Sequence, residues 1–343
     1  MLISEFDYEL PEELIAQEPL VKRESSRMLF VNCADRSLHD KQFLSFPKFL
    51  KKDDTIVLNN TKVFPARLFG HLETGAKVEI FLVKEAEKHI WEALARPARR
   101  LKIGKKILFG ENLTAEVLAK TAEGRVVIKF EKIENFHEIL DEIGKTPLPP
   151  YIKREQGDLD ADRKRYQTVF AKEKGAIAAP TAGLHFTPQI LEEIENAGVK
   201  IVEITLHVGY GTFEPVRVSD LSKHNVMPER YEISEEAARI LNEAKVEKRR
   251  IIAVGTTTTR ALESSIDDNG KIKAGKQSAN LTITPGYKFK AINGLLTNFH
   301  LPQSSLLVLI STFAGHELIM KAYKHAVQEK YRFYSYGDCM LIV

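Results

Sequence analysis

Cysteine is scarce in this chain: Cys33 and Cys339 are the only two in 343 residues. They form no C-x-x-C pair and no metal-ligand spacing, which excludes a disulfide scaffold and a zinc ribbon and favours a reducing compartment. Long hydrophobic runs are also missing. The most apolar stretch, residues 304–313, is far too short to span a bilayer and reads as a buried strand. Residues 1–13 carry acids early and no basic leader before an apolar run, so a secretory signal is not expected. Neither sign of charge dominates: 50 Lys and Arg face 47 Asp and Glu, for a net charge of +3. This permits a nucleic-acid partner without demanding one. Repeats and low-complexity tracts are absent. The expectation is a cytoplasmic protein with no membrane partner.

What is present is a chain of 43% hydrophobic and 28% charged residues, ordinary for a globular protein and long enough for two domains. Residues 12–17 read as a short helix, and 27–32 and 55–59 as buried strands. From about 67 to 132 the pattern changes to short strands at 67–72, 77–84, 89–94, 106–109, 113–119 and 125–130, with Gly75, Gly104, Gly110 and Gly124 at turns. That spacing suggests a small antiparallel barrel or sandwich. A short helix at 136–143 leads into K-T-P-L-P-P-Y-I (145–152), whose prolines favour a stiff, extended crossing. Beyond it helix and strand alternate: helices at 187–197 (Thr187 as cap, Pro188 in the first turn), 234–247 and 315–330, a helix start at 258–265, and strands at 199–207, 250–254, 294–297 and 306–311. The expected fold class is α/β: a discontinuous α/β layer domain (1–66 and 148–343) with a small antiparallel β-barrel domain (67–147) inserted.

Polar, glycine-bearing segments interrupt the apolar strands of the second part. V-G-T-T-T-T-R (254–260) leaves a strand and enters a helix, so its amides and hydroxyls suit a carboxylate, a phosphate or a ribose edge. Arg260 can clamp a carboxylate through two donors. The segment lacks the G-K-[ST] of a phosphate-binding loop and the G-x-G-x-x-G of a dinucleotide fold. T-L-H-V-G-Y-G-T-F (205–213) sets His207 at a strand end, beside Gly209, Tyr210 and Gly211, with Glu214 one residue beyond. An imidazole there can move a proton near neutral pH, or be a satisfied structural group. A-P-T-A-G-L-H-F-T (179–187) places Thr181, Gly183 and His185 before a helix, and T-N-F-H-L-P-Q-S (297–304) contributes Asn298, His300 and Gln303. His185, His207, His224 and His300 form no H-E-x-x-H or other close pair, so no metal is expected.

Two basic patches can follow RNA phosphates: Arg96, Arg99, Arg100, Lys102, Lys105 and Lys106 in the expected barrel, and Lys153, Arg154, Arg163, Lys164 and Arg165 past the proline crossing. Acids among the second group soften it. Tyr151 and Tyr166 can stack on unpaired bases or belong to the core.

L-P-E-E-L-I-A-Q (10–17), N-N-T-K-V-F-P-A-R-L-F-G (59–70), T-P-L-P-P-Y-I (146–152), R-Y-Q-T-V-F-A (165–171), L-H-V-G-Y-G-T-F-x-P-V (206–216) and Y-R-F-Y-S-Y-G-D-C-M-L-I (331–342), together with the polar segments above, resemble the S-adenosylmethionine:tRNA ribosyltransferase-isomerase family almost end to end. The resemblance implies an α/β domain with an inserted barrel. It implies transfer and isomerisation of the ribosyl part of S-adenosylmethionine onto 7-aminomethyl-7-deazaguanine at the tRNA wobble position. The products are then epoxyqueuosine-tRNA, adenine and methionine. It implies no metal and no permanently bound cofactor, S-adenosylmethionine being a co-substrate, and a monomer as the working unit. The chain departs from the family pattern at Asn60 and Asn280, where aspartate is usual, at Lys62, and at Pro228.

Within that reading, His207 or His185 is the proton-transfer group. Arg260, Thr257 and Thr258 hold the methionine carboxylate. Asn298, His300 and Glu214 address adenine or ribose, and Thr181, Gly183 and Tyr210 complete the pocket. Lys153, Arg154, Arg165, Arg99 and Arg100 guide the anticodon arm. An RNA methyltransferase is the competing enzyme class, distinguished by release of S-adenosylhomocysteine. A non-catalytic RNA-binding module would consume no cofactor.

Overall fold

The computed structural model describes residues 1–122, 124–131, 134–154, 160–213 and 216–343. Among them the main sheet has nine strands. Its centre is parallel: Lys200–Leu206, Thr55–Asn59, Ile251–Val254 and Gly294–Asn298 lie side by side in that order. Cys339–Ile342 then pairs antiparallel to Gly294–Asn298, followed by Arg27–Asn32 and the edge strand Ser37–Gln42. Glu229–Ile233 and Gly275–Ala279 extend the opposite edge, both antiparallel.

Every residue of Thr55–Asn59, Ile251–Val254 and Gly294–Asn298 is buried. A strand covered on both faces needs apolar side chains at odd and even positions alike, hence runs such as I-I-A-V. Alternate residues feed separate cores. Val57, Ala253 and Leu295 join one with Leu241, Leu262 and Val308 of helices Glu235–Val246, Thr256–Ser264 and Ser305–Ala314. Ile56, Ile252 and Leu296 join the other with Phe43, Phe46, Phe186 and Ile190. Each fully buried Val, Leu or Ile contributes roughly 1.5–3 kcal/mol of transfer free energy.

The inserted unit is a closed antiparallel six-stranded barrel: Val126–Phe130, Ile90–Arg96, Lys77–Glu87, Arg67–Leu72, Lys106–Phe109 and Leu113–Lys120, in spatial order. Its core is its own, built on residues such as Leu68, Ile80, Trp91, Val117 and Ile128. The discontinuous α/β layer and the inserted barrel are thus as the sequence implies.

Residues 306–311 are not a strand. They lie in the helix Ser305–Ala314, capped by Ser304, whose side chain accepts from the Leu307 amide. Leu307 to Ser311 are all buried and no residue of the helix is fully exposed, so no charged face displays a 3.6-residue period. Residues 12–17 form only a short 3₁₀ turn, Glu12–Leu14. Strands Ser37–Gln42 and Gly275–Ala279 carry no apolar alternation, being edges rich in exposed polar residues.

Gly70 tests the packing of the barrel. A Cβ there would lie 2.6 Å from the Leu108 carbonyl oxygen and 2.8 Å from the Phe109 ring. Gly70→Ala is expected to cost about 1–3 kcal/mol, read as a lower denaturation midpoint. An unchanged midpoint would mean that strands Arg67–Leu72 and Lys106–Phe109 do not approach so closely.

Candidate active site

The parallel strands all release the chain at their carboxyl ends, where ligands bind in open α/β sheets. Val254 is followed by Gly255 at φ 95°, a backbone state that disfavours side chains, and then by helix Thr256–Ser264. Asn298 is followed by F-H-L-P-Q-S, and Leu206 by His207 and Val208. These exits surround a cavity of about 420 Å³. Gly255, Thr256 and Thr257 line it as the first turn of a helix, which carries N–H groups without intrahelical partners. Asn298, His300 and Gln303 form a second wall, and Ala179, Pro180 and Thr181 a third. The remaining surface is mostly apolar or aromatic, including Tyr151, Tyr166, Val208 and Tyr334.

His185 sits directly beneath this wall. Its Nδ1 is 2.7 Å from Ser26 Oγ and its Nε2 is 3.2 Å from Asn298 Oδ1. The amide oxygen can only accept, so the proton is on Nε2 and Ser26 donates to Nδ1. Asn298 Nδ2 in turn donates to the Tyr334 carbonyl at 2.9 Å. Burial pushes His185 down to about 4 and His300 down to about 3. Both imidazoles are therefore neutral at pH 7. His300 Nε2 lies 2.9 Å from Thr297 Oγ1, and Tyr323 Oη accepts from the His300 amide at 2.8 Å.

Thr181, Thr257, Asn298 and His300 thus converge on one cavity, with His185 one bond removed. Other expected residues lie elsewhere. His207 is not on the cavity wall. Its Nδ1 meets Thr61 Oγ1 at 2.8 Å, and a Cβ at Gly175 would come within 2.7 Å of its ring. Burial lowers its pKa, partly offset by Glu173. Gly183 is a packing position: a Cβ there would meet Phe170 at 2.7 Å and Thr168 at 2.8 Å. Thr258 is fully buried and its hydroxyl donates back to the Val254 carbonyl at 2.7 Å, so it is not offered to a ligand. Tyr210 lines a different cavity, at the barrel seam. Glu214 lies outside the described residues.

Arg260 is committed to the protein. Its Nη1 donates to Glu229 Oε2 at 2.5 Å, and Nη2 donates to the Ala279 carbonyl at 3.0 Å. Glu229 Oε1 accepts from the Gly209 amide at 2.9 Å, so this buried pair ties the helix to the 205–213 loop. It does not line the cavity described above, because the guanidinium turns toward the antiparallel edge of the sheet.

Of the basic residues, Arg99 and Arg100 are exposed on the barrel. Lys153 is exposed and pairs with Glu12 at 2.5 Å. Arg154 is bound through two donors to Asp162 at 2.7 and 2.8 Å, and Arg165 donates to the Leu20 and Val21 carbonyls. Arg154 thereby fixes the end of the crossing segment, and Arg165 ties the 160–165 helix to residues 20 and 21. Tyr166 is fully buried and Tyr151 packs against Tyr334, ring centroids 4.1 Å apart; both tyrosines line the cavity.

The wall from Tyr334 and Ser335 carried no assigned role in the sequence reading, though its motif stood out. Tyr334 adopts φ 72°, which no composition signal announces, and Ser335 Oγ lies 2.6 Å from Tyr151 Oη. Among the described residues no cluster of His, Cys, Asp or Glu could hold a metal ion.

A cleft with few convergent polar groups, at the carboxyl edge of a parallel sheet, defines an α/β enzyme acting on a polar organic substrate. The comparisons with known proteins give the family. The model of the queuosine biosynthesis protein family matches residues 3–342. The S-adenosylmethionine:tRNA ribosyltransferase-isomerase of Thermoanaerobacter sp. is 51% identical over 99% of both chains. That of Fusobacterium nucleatum is 49% identical, over 99% of this chain and 96% of its own. The crystal structure of S-adenosylmethionine tRNA ribosyltransferase from Thermotoga maritima is 34% identical, with a TM-score of 0.56, over 99% of this chain and all of that one. The chain belongs to the S-adenosylmethionine:tRNA ribosyltransferase-isomerase family of queuosine biosynthesis enzymes.

Two outcomes follow from the electrostatics. Removing Arg260 leaves a buried carboxylate without its cation. Arg260→Ala is expected to cost about 3–5 kcal/mol of stability, measured by urea denaturation; a loss of substrate affinity at unchanged stability would return Arg260 to the ligand. His185 gives a pH dependence. Its folded value of about 4 lies below the ordinary 6.5, so the unfolded chain binds more protons between the two. Stability is full above pH 6.5 and falls as pH drops toward 4, by on the order of a few kcal/mol. His185→Gln should flatten that part of the profile; parallel profiles for variant and wild type would show that His185 does not titrate there.

Proposed function

We propose that this chain moves the ribosyl group of S-adenosylmethionine onto 7-aminomethyl-7-deazaguanine at the tRNA wobble position and isomerises it. The products are epoxyqueuosine-tRNA, adenine and methionine. The observation that carries the reading is the convergence of the polar segments on one cavity, in a chain that matches the queuosine biosynthesis family over residues 3–342.

S-adenosylmethionine occupies the cavity of about 420 Å³. The first turn of helix Thr256–Ser264, with Thr257, takes the methionine carboxylate. This replaces the clamp expected of Arg260. Asn298 and Thr181 address adenine or ribose, and the aromatic wall of Tyr151 and Tyr334 packs against an apolar face of the substrate.

The sulfonium acidifies its adjacent ribose carbon. A base removes that proton to give an ylide, the ring opens and adenine leaves. The amine of the modified base joins the sugar fragment, a carbon–carbon bond closes the five-membered ring, and methionine departs as the epoxide forms. His300 is the neutral imidazole on the cavity wall, placed to hydrogen-bond the substrate, with His185 behind Asn298. Exposed Arg99, Arg100 and Lys153 steer the anticodon arm, and the protein acts as a cytoplasmic monomer without a metal.

Incubation with S-adenosylmethionine and tRNA bearing 7-aminomethyl-7-deazaguanine tests this. Adenine and methionine should appear in equal amounts, with the epoxyqueuosine mass in the nucleoside digest. S-adenosylhomocysteine, or no adenine at all, would refute the assignment.

A further inference from the structure

A second cavity, of about 300 Å³, lies at the seam between the barrel and the α/β layers. Phe81 and Leu94 face it from barrel strands Lys77–Glu87 and Ile90–Arg96, and Leu148 and Ile152 from the proline-rich crossing. Tyr210, from the 205–213 loop, completes the wall, its ring edge-on to Phe81 at 6.0 Å. Two features set it apart from a packing defect. It shares Pro150 with the main cavity, so the two adjoin. It also holds a single carboxylate among the described residues that line it, Glu79, fixed where Oε1 accepts from Arg67 Nε at 2.6 Å.

The walls combine apolar and aromatic side chains with the cations Arg67, Arg96, Lys153 and Arg154 and one fixed carboxylate; an acceptor-only carboxylate beside aromatic rings suits a flat heterocycle that presents two adjacent N–H donors. Guanine-type bases have that pair, N1–H and the 2-amino group; adenine, cytosine and uracil do not. A carboxylate has two oxygens and about four acceptor sites, so Glu79 can keep Arg67 and still accept from both base donors. Exposed Arg96 and Lys153 bring positive charge to the same cavity, as a base attached to a phosphate backbone requires.

We propose that the seam cavity receives the guanine-type base of the tRNA, turned out of its stack, and that Glu79 is the specificity-determining residue that reads its N1–H and 2-amino group. This assignment rests on the ribosyl-transfer reading above. Engaging that edge leaves the 7-aminomethyl group free to react at the adjoining cavity, and it rejects any base without the donor pair.

The test compares tRNA bearing 7-aminomethyl-7-deazaguanine with tRNA bearing the same base lacking its 2-amino group. The wild type should favour the first by about 10- to 100-fold in kcat/KM. Glu79→Gln should lose a similar factor on the first substrate and most of the preference. S-adenosylmethionine affinity without tRNA, measured by calorimetry, should not change, which separates base reading from misfolding. Equal wild-type rates on both tRNAs, or a preference retained by Glu79→Gln, overturns the proposal. If Glu79→Gln does not fold, the wild-type comparison decides alone. If the wild type releases no adenine from the first tRNA, the ribosyl-transfer reading fails instead. Calorimetric binding of free 7-aminomethyl-7-deazaguanine then decides the seam: it should weaken at least about tenfold in Glu79→Gln, and unchanged or absent binding overturns the assignment.

Discussion

A sheet buried on both faces fixes where this protein can keep its polar chemistry. Thr55–Asn59, Ile251–Val254 and Gly294–Asn298 are buried throughout, and Thr297 and Asn298, at the carboxyl end of the last, are the ones that line the cavity; an unpartnered polar group elsewhere along these strands costs several kcal/mol. The carboxyl edge is the first place where the chain escapes that constraint. Hydroxyls, amides and imidazoles accumulate at the exits of three parallel strands for this reason, and one cavity gathers them. The burial that stabilises the layers and the clustering of reactive groups are two results of one arrangement.

The barrel is spliced in at the same edge. Asn59 ends its strand by using its side chain as an extra rung: Oδ1 accepts from the Leu206 amide at 2.9 Å, and Nδ2 donates to the Leu206 carbonyl at 2.9 Å. Asn60 accepts from Thr205 Oγ1 at 2.7 Å and donates to Glu203 at 3.2 Å. An amide can do both, whereas an aspartate would set a second carboxylate against Glu203. The departure at position 60 is therefore matched by its surroundings and does not touch the main cavity. Gly144 returns the chain from the barrel so tightly that a Cβ would lie 2.3 Å from the Pro65 carbonyl oxygen. Entry and exit are thereby held together, and the seam cavity is enclosed by elements with little freedom to separate.

The division into an α/β layer unit and an inserted barrel was legible because periodicity reports burial. Barrel strands such as Val126–Phe130 alternate, central strands run apolar without a break, and Thr187 and Ser234 cap their helices as their positions suggest. The helix Ser305–Ala314 was not legible, because a short, mostly apolar run such as 306–310 looks alike in a buried helix and a buried strand. At the site, the segments were legible and the orientations were not. His207 and Val208 are neighbours in an extended chain, so they point to opposite sides: Val208 lines the cavity and His207 turns to Thr61. Arg260 looked free in its motif, but its partner Glu229 lies 31 positions away, at the start of strand Glu229–Ile233, and sequence spacing does not bring the two together.

The same constraint shapes the electrostatics of the main cavity. Among the described residues that line it there is no Asp, Glu, Lys or Arg, and its imidazole and the one beneath it are held neutral by burial. For the proposed substrate this has a direct consequence. A sulfonium beside a cationic imidazolium would be repelled strongly at reduced dielectric, whereas neutral nitrogen and amide dipoles stabilise it without a competing counter-ion. A carboxylate placed there would bind the sulfonium, and would equally stabilise the ground state before its proton is lost. Strong charge is instead kept one layer out, in the Arg260–Glu229 and Arg154–Asp162 pairs, where it fixes loops and leaves the reacting centre to dipoles.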